Sequence, residues 1–341
     1  GIGLIIDPEI VYCTFLGGTV DDNPSGGFIF DENGDVYLAG QTAQNFPTTT
    51  GAFDTTAGQG FDGFVTKINM TSSTLAYSTF IGGNNDDCCF DICLGRDGGL
   101  YVVGNAGSTD FPITPGAYCQ TNEGSGFVLE LSSDGGHLVF STRIGPAGMT
   151  EIEQRSNGSI VCVGNTRSQN YPVSPNAYDK TSNGNLDIVV IGMDEHGTKL
   201  EFATYLGGKV QENCRKMRLD PDENILIGGE TNSSDFPTTI GAFCSTYKDY
   251  YDAFLVRFND DGSVLNYSTF VGGSGFETFY SFVLHDQGTA IGCGLTSSTN
   301  LPVSEDAFQT TRAGNQDGFL FSLDIDTSKM NFLTYLGGTD M

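Results

Sequence analysis

Carboxylates recur at one position of this chain, four residues after a Gly-Gly pair. They are Asp22, Asp87, Glu212 and Glu277, and the nearest counterpart in the remaining segment is Glu151. A group of carboxylates could hold Ca²⁺, or two of them could act as acid and base in glycoside cleavage. A carboxylate after a turn also accepts backbone N–H bonds and thereby caps the turn. Recurrence favours capping, and calcium binding or catalysis remains the alternative.

A tyrosine-rich segment is the second candidate for binding. Tyr247, Tyr250 and Tyr251 stand beside Asp249 and Asp252, whereas the corresponding segments elsewhere are rich in Gly, Ser, Asn and Thr. Aromatic rings beside acids suit the stacking of a glycan or a contact with another protein. Shielding of a sheet edge explains the same residues equally well.

The residues needed for nucleophilic catalysis are scarce. The three histidines, His137, His196 and His285, fall in or beside expected hairpin turns, where a Ser-His-Asp set is hard to assemble. The chain has no Gly-x-Ser-x-Gly segment and no phosphate-binding loop. The Asp31 turn fails as an EF-hand because Val36 and Thr42 stand at its sixth and twelfth positions. We therefore expect no enzymatic activity.

A motif with the pattern aromatic-x-Thr-x-apolar-Gly-Gly organises the whole chain. Its six copies occupy 12–18, 77–83, 140–146, 202–208, 267–273 and 332–338, at a spacing of 62 to 65 residues. The third copy departs by ending in Gly145-Pro146. A fixed period of this length indicates one supersecondary unit repeated along the chain.

Each repeat contains four short predicted strands. In the first repeat they are 26–30, 35–40, 62–68 and 75–80, separated by turns such as Asp31 to Gly34. Four antiparallel strands without helical periodicity describe one blade, so the sequence predicts an all-β fold of the β-propeller type. The five expected blades are 18–83, 84–146, 147–208, 209–273 and 274–338, and the sixth motif adds one extra outer strand.

The ends of the chain fit this fold in two ways. Residues 1–17 are expected to lead in and to give a strand near 11–16 that completes the last blade as a clasp. Residues 339–341 would then be a tail or the start of a further repeat in a longer polypeptide. The residue before proline in each long connection, Phe46, Phe111, Tyr171, Phe236 or Leu301, is expected to fill the gap between neighbouring blades.

Four of the nine cysteines occupy matching positions in two repeats. Cys89 matches Cys214, and Cys119 matches Cys244, so the two positions are 30 residues apart within each of these repeats, while the other repeats lack cysteine at both positions. This both-or-neither pattern predicts disulfides Cys89–Cys119 and Cys214–Cys244, with Cys88 as an alternative partner in the first. Disulfides would indicate an oxidising compartment.

The segments Tyr77-Ser-Thr-Phe-Ile-Gly-Gly83, Asp97-Gly-Gly-Leu-Tyr-Val-Val-Gly104 and Ser108-Thr-Asp-Phe-Pro-Ile-Thr-Pro-Gly-Ala-Tyr118 resemble the SBBP repeat. The resemblance covers essentially the whole chain. It implies a β-propeller of a large secreted or cell-surface bacterial protein. Many relatives of this kind come from Bacteroidetes-type bacteria that use the type IX secretion route. The family has no general activity, so the resemblance implies a location outside the cell and no catalytic activity.

The formal net charge of −27 opposes binding to DNA, RNA or anionic lipid as a main activity. No apolar run is long enough to span a membrane. We therefore expect a non-enzymatic extracellular module for adhesion or surface assembly, with a protein or glycan partner. Ca²⁺ is the only cofactor that the sequence suggests. A carbohydrate-active enzyme and a calcium-dependent scaffold are the alternatives.

Overall fold

The computed structural model describes residues 12–24, 26–285 and 288–339. Within these ranges it contains strands and connections, and no helix there is long and apolar enough to cross a membrane. The strands form five antiparallel sheets, which we call blades I to V. The predicted all-β fold of four-stranded blades is therefore confirmed.

The strands follow one another in chain order within each blade. Blade I comprises β1 (Asp22–Asn23), β2 (Phe28–Phe30), β3 (Val36–Thr42), β4 (Asp62–Asn69) and β5 (Thr74–Ile81), and blade II comprises β6 (Asp87–Leu94), β7 (Leu100–Ala106), β8 (Gly126–Leu131) and β9 (Leu138–Arg143). Blade III comprises β10 (Ala147–Gln154), β11 (Ile160–Thr166), β12 (Asp187–Met193) and β13 (Leu200–Leu206). Blade IV comprises β14 (Glu212–Leu219), β15 (Ile225–Thr231), β16 (Asp252–Phe258) and β17 (Leu265–Val271), and blade V comprises β18 (Glu277–His285), β19 (Thr289–Thr296), β20 (Asp317–Asp324) and β21 (Lys329–Leu336).

The first strand of blades II to V carries a β-bulge at the same place. The bulged residues are Phe90, Thr150, Arg215 and Tyr280, each of which stands without a partner in the register of its neighbouring strand. A bulge bends the strand and redirects the side chains beside it. The repeat thereby turns the same positions of every first strand toward the centre of the molecule.

The apolar core is divided among the junctions between blades. Val161 and Val163 of blade III pack with Met217 of blade IV, and Leu226 of blade IV packs with Phe282 of blade V. The expected gap-filling residues Phe111, Tyr171, Phe236 and Leu301 lie in these junctions and are 2 to 5% exposed. Their predicted packing role is confirmed.

Blades I and V each present one uncovered side. Leu336 of blade V is 49% exposed, whereas Ile81 and Val271 at the same register positions of blades I and IV are fully buried. On the opposite side of the assembly, Phe28 of blade I is 62% exposed and its counterpart Met217 is buried. The five sheets therefore do not close against each other at this point.

The predicted clasp strand is not formed in the part of 11–16 that the structure describes. Residues 12–20 contain no strand, and Val11 lies outside the described residues. The physical reason is that β21 already pairs with β20 as the outermost strand of blade V. No vacant position remains there for a second copy of the motif.

Candidate functional site

A central cavity of about 720 Å³ is lined by the first strands of all five blades. Residues 27–30 contribute from blade I, followed by 90–94, 151–154 and 215–218 from blades II to IV, and 280–281 from blade V. Asp91, Glu151, Lys216 and Ser281 hold the same register position directly after the bulge. The repeat thus brings together residues that are about 60 positions apart in sequence.

Ion pairs form one wall of the cavity. Lys216 Nζ lies 2.5 Å from Glu151 Oε2, and Arg218 Nη1 lies 3.0 Å from Glu153 Oε1. Asp91 Oδ2 accepts a bond of 3.1 Å from the Ile152 amide. Ion pairs therefore cross-link blades III and IV at their centre, and the bond from the Ile152 amide to Asp91 joins blade II to them.

Glu151 has the most strongly altered acidity in this wall. Burial and the adjacent charge of Asp91 raise the pKa of Glu151 to about 8, against the opposing effect of Lys216. A carboxyl with this pKa can lend or accept a proton near neutral pH. Burial also raises the pKa of Asp91.

The opposite wall of the cavity is apolar and aromatic. Phe28 and Phe30 of blade I and Tyr280 of blade V line it with exposed rings. Phe28 and Phe30 meet edge to face, with ring centroids 5.6 Å apart. The cavity therefore opposes aromatic surface to charged surface.

The four carboxylates singled out in the sequence lie elsewhere. Asp87, Glu212 and Glu277 are fully buried and Asp22 is partly buried, and none of them lines the central cavity. Each accepts a bond from the preceding Gly-Gly pair or from its own blade: Gly83 N to Asp87 at 2.8 Å, Gly273 N to Glu277 at 2.8 Å, Gly18 N to Asp22 at 2.6 Å and Thr231 Oγ1 to Glu212 at 2.6 Å. These contacts are those of the capping interpretation.

In the third repeat, counting residues from the end of the motif does not locate the carboxylate position. Ala147 pairs with Thr166 as Asp87 pairs with Ala106, so Ala147 occupies the carboxylate position. Glu151, the expected counterpart, lies four residues further along β10 and lines the cavity. The connection before β10 is three residues shorter than in blades II, IV and V, which displaces the count.

The tyrosine segment lies at the junction of blades IV and V, outside the cavity lining. Tyr251 forms an isolated bridge with Phe276, and their rings are 5.7 Å apart. Tyr250 is exposed and stands 6.4 Å from the Phe276 ring, whereas Tyr247 packs against Phe270. The structure thus assigns Tyr247 to the core and leaves Tyr250 accessible, while a binding role for the segment stays a prediction.

The predicted disulfides are not formed. All nine cysteines, each within the described residues, are free thiols. Cys89 is buried between blades I and II, whereas the Cys119 sulfur contacts the Thr121 carbonyl in a connection. Cys214 is likewise buried between blades III and IV, and the Cys244 sulfur contacts Thr246. The matching pattern therefore reflects two different environments and not a bond between them.

Among the residues that the structure describes, no three His, Cys, Asp or Glu side chains converge on a point that could hold a metal ion. Sequence analysis missed the charged residues of the cavity, because what they share is a register position that depends on strand pairing. Only after the strands are aligned at their bulges do Asp91, Glu151 and Lys216 share one place.

Known structures with a similar fold confirm the architecture. No family model matches the chain, and no curated protein matches it. A chain of the mitotic checkpoint complex is 9% identical, with a TM-score of 0.50, over 98% of this chain and 74% of its own. An ulvan lyase is 10% identical, with a TM-score of 0.50, over 92% of this chain and 70% of its own. Kuenenia stuttgartiensis hydrazine synthase is 10% identical, with a TM-score of 0.49, over 92% of this chain and 66% of its own.

The first two are propeller-type folds, and five antiparallel sheets around one centre make this chain a β-propeller as well. At such low identity the likeness is one of fold alone.

Proposed function

We propose that the chain is a non-enzymatic binding module whose central cavity takes a segment of a glycan. The observation that carries the proposal is the opposition of aromatic and charged walls across one cavity. Sugars present apolar C–H faces that stack on aromatic rings and hydroxyl groups that bond to charged side chains. Tyr280 and Phe30 would supply the stacking surface, and Arg215 and Arg218 would supply donors.

A contact outside the cavity anchors the Arg215 side chain. Its guanidinium makes two bonds to the buried Glu230 carboxylate, at 2.9 and 2.7 Å, and its side chain is nevertheless 44% exposed. A paired and anchored Arg loses little conformational freedom when it meets a polar ligand. Thr278 Oγ1 donates to the same carboxylate at 2.5 Å and fixes it against blade V.

We further propose an extracellular address at a bacterial surface, on the basis of the repeat resemblance and the net charge of −27. A carboxylate-rich exterior keeps such a domain soluble and repels nucleic acid. A surface protein or a glycan is then the partner class. Affinity purification of the tagged protein from its native surface tests the address, and recovery among cytoplasmic proteins would contradict it.

A glycan panel measured by calorimetry tests the binding proposal. We expect one glycan class to bind the wild-type protein and the Tyr280→Ala variant to lose about tenfold in affinity, the loss that corresponds to about 1.4 kcal/mol. Phe308→Ala is the matched control, because Phe308 is also exposed, at 79% against 55% for Tyr280, but lies outside the cavity lining. Equal affinity of all three proteins would place the binding surface elsewhere.

A carbohydrate-active enzyme is the second candidate, because the Glu151 carboxyl lines the cavity and burial raises its pKa. Incubation with each bound glycan, followed by analysis of the reducing ends, distinguishes the two functions. Binding without new ends supports the module. Turnover that disappears in Glu151→Gln, with the melting temperature retained, would establish the enzyme.

A further inference from the structure

Three blade junctions bring two buried carboxyl groups together. An aspartate at the start of a third strand faces the acid at the start of the next blade, in the pairs Asp62–Asp87, Asp187–Glu212 and Asp252–Glu277. All six side chains are at most 1% exposed. The first glycine of the Gly-Gly pair separates them: a methyl group built on Gly82, Gly207 or Gly272 would collide with both carboxylates. Each pair therefore faces one small space, which only glycine leaves open.

Some carboxyl oxygens of these pairs have no hydrogen-bond donor. One oxygen of each aspartate accepts a loop amide, with Gly58 N to Asp62 Oδ2 at 2.5 Å, Asn183 N to Asp187 Oδ2 at 2.8 Å and Lys248 N to Asp252 Oδ2 at 2.7 Å. The other oxygen, Oδ1, is buried without a donor in all three. Glu212 Oε2 also lacks a donor. A buried acceptor without a donor is costly, so three repetitions require an explanation.

The same positions are fully satisfied in the two terminal blades. Asp317, the third-strand aspartate of blade V, accepts from Gln309 Nε2 at 2.9 Å, Ala313 N at 2.8 Å and Gly314 N at 3.1 Å. Asp22, at the start of blade I, accepts from Gly18 N and Thr42 Oγ1. A missing donor is therefore not a property of these positions themselves.

The remaining junction, between blades II and III, has neither acid. Ser125 precedes β8 where an aspartate opens the third strand of other blades, and Ala147 opens β10. Arg143 is buried nearby and donates to the carbonyls of Ala106 at 2.6 Å and Ser108 at 2.5 Å. The two acids are therefore both present or both absent at every junction, as expected of groups that share one ligand.

We propose that the shared ligand is a proton, so that each pair is one carboxylic acid hydrogen-bonded to one carboxylate. The proton resides on Asp62 Oδ1 or Asp252 Oδ1 and is donated to the carboxylate of Asp87 or Glu277, and in the middle pair it resides on Glu212 Oε2 and is donated to Asp187 Oδ1. One proton satisfies the oxygens that lack a donor and removes the repulsion between two buried negative charges. No other atom or co-reactant is needed.

The surroundings favour a proton over a metal cation. Amides of Gly83 and Gly273 and the hydroxyls of Ser108, Thr231 and Thr296 point their hydrogens at the acids. Ca²⁺ needs six to eight oxygen ligands, and donor hydrogens would repel it. Among the described residues no third acidic or other metal-binding side chain joins any pair.

The pKa values of these groups are raised, as a bound proton requires. Burial raises the pKa of Asp62 to about 6 and the pKa of Asp252 to about 7, with the facing acid adding to both shifts. Burial likewise raises the pKa of Glu212 to about 7. Further charges near the pairs are Asp54 and Asp110 beside Asp62, Arg143 beside Asp87, Tyr251 toward Glu212, and Lys248 and Asp249 beside Asp252.

A folded-state pKa above the unfolded value means that the native protein holds a proton that unfolding releases. The stabilising effect is fully present below about pH 4, the unfolded value, and is lost as pH rises through 6 to 7. We expect the full chain to release protons on unfolding at pH 6, and Asp252→Asn to release about one fewer. Asn keeps the acceptor for Lys248 N and can donate its amide hydrogens to Glu277.

Unfolding calorimetry in two buffers of different ionisation enthalpy counts the protons. Asp317→Asn is the matched control, because it changes the same position of the repeat where both carboxylate oxygens already accept N–H donors, and its count should equal that of the wild type. Glu277→Gln gives the same reduction from the opposite side, and it replaces Asp252→Asn if that variant does not fold.

An unchanged proton count in both Asp252→Asn and Glu277→Gln overturns the proposal. A rise in melting temperature on adding Ca²⁺ at pH 8 that is absent from Asp252→Asn also overturns it, since the pair would then hold a cation. Retained proton release in Asp317→Asn, with loss in the two pair variants, supports it.

Discussion

The two glycines that end each repeat lie against different neighbours. The first borders the carboxyl pair, and the second packs against the polar residues of the long connection, as Gly273 does against Ser298 and Asn300. A methyl group on Gly273 would stand 2.6 Å from the Ser298 side chain, far inside van der Waals contact. The motif thus preserves space at two points, which explains why both glycines recur.

At the residue scale, Gly273→Ala should lower the free energy of unfolding by roughly 1–3 kcal/mol, the usual cost of overpacking a rigid site. Gly338→Ala is the matched control, because it is the same motif position and a methyl group there meets nothing within 4 Å. Denaturant titration of both variants measures the difference. Equal stabilities would show that the Ser298 segment moves aside.

Arg143 departs from the repeat at a buried position of the core. Its register partner Phe127 matches Phe64 and Phe254, whose own partners are Phe80 and Phe270. The guanidinium stacks over the Phe111 ring at 4.9 Å and holds two backbone carbonyls.

Arg143→Ala leaves the carbonyls of Ala106 and Ser108 without a donor and opens a cavity. We expect about 3 kcal/mol of destabilisation in urea, from unsatisfied acceptors and lost packing together. Arg96→Ala, an exposed arginine whose guanidinium contacts Ser156, should change stability by less than about 0.5 kcal/mol. A loss for Arg143→Ala no larger than that of the control would contradict this assignment.

At the element scale, the long connection between the second and third strands contributes a buried side chain to the junction between blades. Phe236 packs against Phe254 and Phe270 with ring centroids 4.7 and 5.9 Å apart, and the proline after it keeps this segment out of the sheet. Phe236→Ala should therefore cost about 3–5 kcal/mol. Phe308→Ala, in the corresponding connection of blade V but 79% exposed, should cost almost nothing.

Thermal unfolding of the two variants measures this difference, since the same substitution is made in the corresponding connections of two blades. A similar loss in both would contradict the packing role of Phe236.

The strands of the blades could be predicted because turn residues and alternating apolar residues are local signals. The expected strand 62–68 is observed as Asp62–Asn69, and 75–80 as Thr74–Ile81. The clasp strand could not be predicted correctly, since competition between the first and sixth motif copies for one sheet edge is a long-range question. The charged cavity wall was hidden for the same reason: the bulges that align Asp91, Glu151 and Lys216 depend on strand pairing.

At the scale of the whole molecule, the blades form a series in which each contacts its neighbours. Blades II, III and IV are covered on both sides, whereas blades I and V each have an uncovered side. Stability in such a series is a sum of unit and junction contributions, so the terminal units should open first.

Native-state hydrogen exchange read by mass spectrometry tests this order. We expect amides of β3 and β19 to exchange sooner than those of β11, although all are second strands of their blades. Uniform protection across the five blades would show that the molecule opens only as a whole.

The free thiols give this protein an internal set of chemical reporters. Cys89 lies at the junction of blades I and II, Cys162 at that of blades II and III, and Cys214 at that of blades III and IV. A thiol reacts with an alkylating reagent only when its junction admits solvent, and the labelled peptide records where the opening occurred. The free cysteines therefore report the opening of each of three blade junctions separately, and no probe needs to be introduced.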